Sequence, residues 1–238
     1  METEAQNGQA EYTIRVSYVQ RGAVGNDFGL RPGDCLIAVN GERFTGNKNS
    51  LRGKFARRKT SQLALTFLRN GLEFTILSGT YDLCRWQEVA VPEIDFADRK
   101  PLDPRSLENW EILRNRQGYY ELHSLHKPLL ALVAAPLWLM NVRLWSVMAG
   151  AQAITAFCFA ISPWAALAVY LSISFWVWQN AITLFRIERR TRGLVVWQVV
   201  AARSETKAHE VCRLLDPSLE YVFGDTGIGV ESPKPVES

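Results

Sequence analysis

Residues 29–41, GLRPGDCLIAVNG, decide the reading of this chain. Gly29-Leu30-Arg31-Pro32-Gly33-Asp34 is turn chemistry, because proline fixes one backbone dihedral and glycine permits another. It runs straight into Cys35-Leu36-Ile37-Ala38-Val39, a short apolar strand closed by Asn40-Gly41, itself a turn signal. Upstream, from Glu11, the residues alternate: Ile14, Val16 and Tyr18 oppose Arg15, Ser17 and Val19, as in a half-buried strand. Downstream, residues 49–59 are expected as a helix with Leu51 and Phe55 at i, i+4 toward a core and with Lys54, Arg57, Arg58 and Lys59 making it basic. Residues 63–68 (LALTFL) and 74–77 (FTIL) then predict a hairpin joined by Arg69-Asn70-Gly71.

The stretches SYVQRGAVGNDFGLRPGDCLIAVNGERF and LALTFLRNGLEFTI resemble a PDZ domain of the bacterial type over residues 12–79. The resemblance implies peptide binding. An extended tail adds as a strand beside a helix, main-chain hydrogen bonds supply affinity, and a backbone nest takes the terminal carboxylate. It also implies that Lys48 and Arg52 line the groove, and the basic helix suggests an acidic tail as ligand. The departure is at the front. The family's carboxylate loop and groove strand would precede residue 12, where only a short polar segment stands. The groove is therefore truncated and the fold used for packing or dimerisation, or it is completed by another segment such as 80–91. The Gly71-Leu72-Glu73-Phe74 run sits in the hairpin and resembles the carboxylate loop only superficially.

Residues 80–118 are expected as a connector, marked by Pro92, Pro101 and Pro104 among Glu93, Asp95, Asp98, Asp103 and Glu108. A short helix is predicted within it, capped by Ser106 and running through Leu107, Trp110 and Leu113. Then the composition changes. The 58 residues 128–185 carry one charged side chain, Arg143, and 144–185 carry none. At 1.5 Å per residue, helices over 144–161 and 164–185 would rise about 27 and 33 Å, against a hydrocarbon core of about 30 Å. Ser162-Pro163 breaks the run as N-cap and first helical residue. The expectation is a transmembrane hairpin, with small residues such as Ala149, Gly150, Ala166 and Ala168 allowing close approach. Residues 128–142, broken by Pro136, are expected as an interfacial or re-entrant helix, a third span being the alternative. Lys127 and Arg143 before the hairpin and Arg186, Arg189, Arg190 and Arg192 after it place both ends in the cytoplasm.

The rest of the chain adds a strand-helix unit at 194–216, built on LVVWQVVAA and on Ala208, Val211 and Leu215 after a Ser204 cap. Too small to bury a core alone, it must dock elsewhere. Residues 1–11 and 224–238 are expected to be disordered, and Met1 to Tyr12 lack the build of a signal peptide. The domain plan is thus 12–79, a connector at 80–118, a membrane domain at 119–193 and the unit at 194–216. The fold class is α+β: a PDZ-like β-barrel or sandwich, a transmembrane α-helical hairpin and a strand-helix unit. Residues 119–223 are also similar to a family of small bacterial inner-membrane proteins catalogued only as a domain of unknown function.

A formal charge of +3 over 238 residues, with no basic stripe interleaved with aromatics, gives no reason to expect nucleic acid as a partner. Cys35, Cys84, Cys158 and Cys212 have no metal-ligand spacing and are expected as free thiols. There is no HExxH motif, and His123 and His126 make an isolated pair. No acidic dyad lies in the apolar block, no base stands near Ser162, Ser172 or Ser174, and no phosphate-cradling glycine loop occurs. The expectation is a non-enzymatic adapter without cofactor at the cytoplasmic face of a bacterial inner membrane. Its partners would be a protein or peptide tail, the lipid bilayer and subunits of a membrane complex. The alternative is a structural subunit or assembly factor of such a complex.

Overall fold

The computed structural model describes residues 11–57, 60–94, 96 and 99–223. The ends expected to be disordered, Glu11 apart, lie outside the described residues, as do Arg58, Lys59, Asp95 and Asp98. The chain runs β1 (Tyr12–Tyr18), the single turn α1 (Val24–Asp27), β2 (Cys35–Val39), β3 (Glu42–Arg43), α2 (Lys48–Ala56), β4 (Leu63–Arg69), β5 (Leu72–Ser78) and β6 (Arg85–Ala90). These strands form one sheet in the order β5-β4-β2-β1-β6, with β3 on β2. Both hairpin turns obey their sequence. Asn40 and Gly41 have φ of 54° and 81°, Asn70 and Gly71 of 50° and 82°, the left-handed pair that matches strand twist in a two-residue turn. The Asn47 side chain caps α2 by accepting from the amides of Asn49 and Ser50, and Leu51 and Phe55 face the core.

A second sheet follows: β7 (Glu108–Arg114) and β8 (Tyr119–Ser124) pair in a hairpin, and β9 (Val195–Ala202) and β10 (Glu220–Tyr221) arrive after the helical segment, in the order β10-β8-β7-β9. Residues 80–118 are therefore not a connector. They hold β6 and β7, and the helix expected from Ser106 is strand. Trp110 and Leu113 have helical spacing, but the segment's hydrogen bonds go to Tyr120–Ser124 and Val195–Ala202, ladder partners that no local pattern reveals.

The two sheets share one core, in which Ile14, Leu65 and Ile76 cluster with Ile112, Tyr120 and Val200. Polar ties cross the same interface. Asn109 exchanges two 2.8 Å bonds with the backbone of Leu77, and the Val199 amide donates to Phe28 O at 3.1 Å. Arg69 binds Asp34 in a fork, both contacts 2.7 Å, while also reaching Gln198 Oε1 and Gly29 O. The strand-helix unit docks here: β9 edges the second sheet, and α8 (Glu205–Leu215) buries Ala208, His209 and Cys212.

Between β8 and β9 lie five helices: α3 (Leu129–Val133), α4 (Ala135–Asn141), α5 (Trp145–Ile161), α6 (Pro163–Gln179) and α7 (Ala181–Thr191). Residues 128–142 form two short helices, not one, parted at Ala134 ahead of Pro136. Among the described residues no single helix is long and apolar enough to cross a membrane, and the transmembrane spans expected at 144–161 and 164–185 are corrected accordingly. The second breaks at Asn180, whose side-chain amide donates to Trp176 O, and α7 leaves α6 at 68°. Tertiary contacts explain the break. Leu184 and Phe185 are buried, Phe185 stacks on His123 at 3.6 Å, and Arg186 pairs with fully buried Glu111 at 2.8 Å. Arg189 pairs with Glu121 at 2.7 Å, so α7 belongs to the second sheet although part of it is uncharged. What remains as a hairpin is α5 and α6, 17 residues each. Gly150 faces open space rather than α6, whereas Ala166 is buried.

Candidate peptide groove

The first sheet ends on β6, an edge strand paired, among the described residues, only with β1. Their antiparallel register sets Arg15 against Gln87 and Thr13 against Val89, and the Val91 amide donates to Glu11 O. Bonding alternates along an antiparallel pair, so the pairs at 87, 89 and 91 bond to β1 and the backbones of Trp86, Glu88 and Ala90 turn outward. Such a row of unpaired amides and carbonyls is a template for another strand.

The loop before β6, residues 79–84, sits beside α2. Gly25 holds it from behind: its amide donates to Leu83 O at 3.1 Å, and Leu83 is fully buried. Within the loop, Ser78 Oγ accepts from the Thr80 amide and Thr80 Oγ1 from the Asp82 amide, each at 3.1 Å. The Tyr81 ring lies against Phe55, with Lys48 and Arg52 both within 6 Å of its centre. Lys48 also bonds the Asp82 carboxylate at 3.2 Å. The two residues expected to line the groove are thus brought together, but against the chain's own loop.

Residues 15–69 match the family of the PDZ domain, which agrees with the order of β1, α1, the Gly29–Asp34 turn, β2 and α2 just described. Residues 15–69 form a PDZ domain. The chain matches no curated protein. The matched segment ends before β5 and β6, so the edge of the PDZ domain's sheet is supplied by residues that follow it, within the segment 80–91 named above as one way to complete the groove. Sequence reasoning missed Tyr81, Asp82, Trp86 and Glu88 as site residues. The signal was weak, since Arg85–Ala90 carries little apolar alternation.

Other candidates do not converge on the PDZ groove. A cavity of about 830 Å³ lies behind α2, between Asn49, Gly53 and Arg57 on one side and Val39 and Pro104 on the other. Arg57 and Thr60 are both in its lining. Among the described residues no group of three or more His, Cys, Asp or Glu is placed to hold a metal. Burial pushes the Cys84 and Cys212 thiols up to about 12, far from a reactive thiolate.

Proposed function

We propose that the protein is a membrane-tethered adapter at the cytoplasmic face of a bacterial inner membrane, whose PDZ domain recruits a protein partner without catalysing a reaction. The observation that carries the recruiting role is the unpaired β6 edge of the PDZ sheet, which follows the loop lying against α2. Main-chain pairing along such an edge is a recognised mode of peptide capture. The α5–α6 hairpin supports the tether. No residue of α5 is buried, and Phe157, Ile161 and Trp164 are 69%, 72% and 80% exposed. An uncharged apolar surface of this extent marks an interaction site for lipid or protein. Each arm is about 25 Å long, a little short of a hydrocarbon core of about 30 Å, so insertion thins the bilayer locally.

The exposed face of α5 equally fits the alternative, a subunit whose hairpin is covered by neighbouring spans. Crosslinking in native membranes followed by mild-detergent purification separates the two. Because the sheets share a core, the comparison protein is the full chain carrying Glu88→Pro, which removes an outward amide from an edge where proline is tolerated. Partners lost in the variant support the adapter. Partners retained at fixed stoichiometry assign binding to the hairpin and replace the adapter with the subunit.

A further inference from the structure

We propose that the β6 edge receives an internal, extended stretch of an acidic partner protein rather than a free C-terminus. The inference rests on the adapter reading and names the ligand of the same groove. A strand added antiparallel to β6 points its C-terminal end at the loop 79–84, because β6 begins there. At that end stands the Asp82 carboxylate, already neutralised by Lys48 at 3.2 Å. The amides of Thr80 and Asp82 are spent on Ser78 Oγ and Thr80 Oγ1. A terminal carboxylate would have to compete with Asp82 for the Lys48 ammonium and would find two of the loop's amides taken. An internal stretch brings no charge to that point and continues past the loop.

The helix side of the groove leads to the same ligand. Tyr81 covers Phe55 and holds the Lys48 and Arg52 side chains over its ring, so the space beside α2 is filled by the protein itself. What is free is backbone, at Trp86, Glu88 and Ala90. Around it, Arg15, Arg52 and Arg85 have no carboxylate partner among the described residues, against the two acids Glu88 and Glu93 in the same position. The balance is cationic and complements acidic side chains.

The probes are two random peptide libraries, one displayed with free C-termini and one embedded between flanking residues, selected on the full-length protein in detergent. Enrichment of acidic sequences from the embedded library is expected. The best of them, made as a C-terminal acid and as an amide, should bind the wild type better as the amide, and Asp82→Asn should strengthen the acid roughly tenfold while leaving the amide unchanged. Enrichment confined to free C-termini, or an Asp82→Asn variant that leaves the acid unaffected, overturns the proposal while leaving the adapter standing. If neither library is enriched on protein that melts normally, the peptide-binding reading falls with it. A doubled mass in light scattering that Glu88→Pro returns to the monomer gives the edge to a second copy, and also overturns the proposal.

Discussion

Arg69 does its work with all three of its nitrogens. Its fork on Asp34, which is 1% exposed, fixes the Gly29–Asp34 turn, and its third nitrogen reaches Gln198 on β9 at 2.8 Å. One side chain thus holds the turn of the PDZ domain and the second sheet. Arg69→Met leaves Asp34 buried without its ion-pair partner, though still accepting from the Arg31 amide, and the expected loss is about 3–5 kcal/mol in urea unfolding. A loss within about 1 kcal/mol, the range of an exposed pair, would show that the fork contributes little. His123 gives a second test. Burial, reinforced by Arg189 and Arg186, brings its imidazole down to about 4 from 6.5. The unfolded state then holds the extra proton between those values, so stability falls as pH drops through that window. Burial raises the Glu111 and Glu121 carboxyls, which has the opposite sign, but both act equally in wild type and in His123→Phe. The wild type is therefore expected to lose about 2–3 kcal/mol more than the variant between pH 7 and pH 4. Parallel pH profiles would remove His123 from the account.

At the scale of elements, the loop before β6 depends on how closely α1 approaches it. A Cβ on Gly25 would lie 2.3 Å from Leu83 O, a backbone atom that cannot step aside alone. Gly25→Ala should cost about 1–3 kcal/mol as overpacking and weaken peptide capture at β6 by moving the loop. Unchanged melting and binding would mean the two segments separate freely. Gly25 also marks where sequence reasoning ends. The turn at Gly29–Asp34, the hairpin turns and α2 were legible because each is fixed by residues a few positions apart. The pairings of β6 with β1, and of β7 with β8 and β9, were not. Their partners lie up to about ninety residues away, and residues 80–118 look like a polar connector until those partners are known. Asn180 failed for a related reason: the apolar run continues through Phe185, yet what bends it is Glu111 waiting for Arg186 on another strand. Lys48 and Arg52 were expected to line the groove from α2, and that Tyr81 lies against both side chains and Asp82 against Lys48 is a matter of the fold.

For the whole molecule, the shared core changes what the proposed tether would mean. The PDZ domain does not swing on a flexible connector. Its sheet packs on the second sheet, α7 lies on that sheet through Arg186 and Arg189, and α6 continues from α7, so the groove holds a fixed attitude to the hairpin. On the proposed reading, a partner captured at β6 would be presented in one orientation to whatever adjoins the hairpin. The tether itself can be tested without disturbing this body, because Phe157 and Trp164 are among the most exposed residues of the hairpin and contribute nothing to the core. Phe157→Glu and Trp164→Glu should each leave the melting transition in place. A charge at the middle of a bilayer costs about 2.5–3.5 kcal/mol, so Phe157→Glu should lower partition into phospholipid vesicles roughly a hundredfold, measured by flotation. Trp164, at the hairpin tip, reports depth. A large loss for Trp164→Glu places the tip in hydrocarbon, and a small one places it among the headgroups of the far leaflet. If both variants float as the wild type does, the hairpin is not in lipid and its apolar face is left to neighbouring protein.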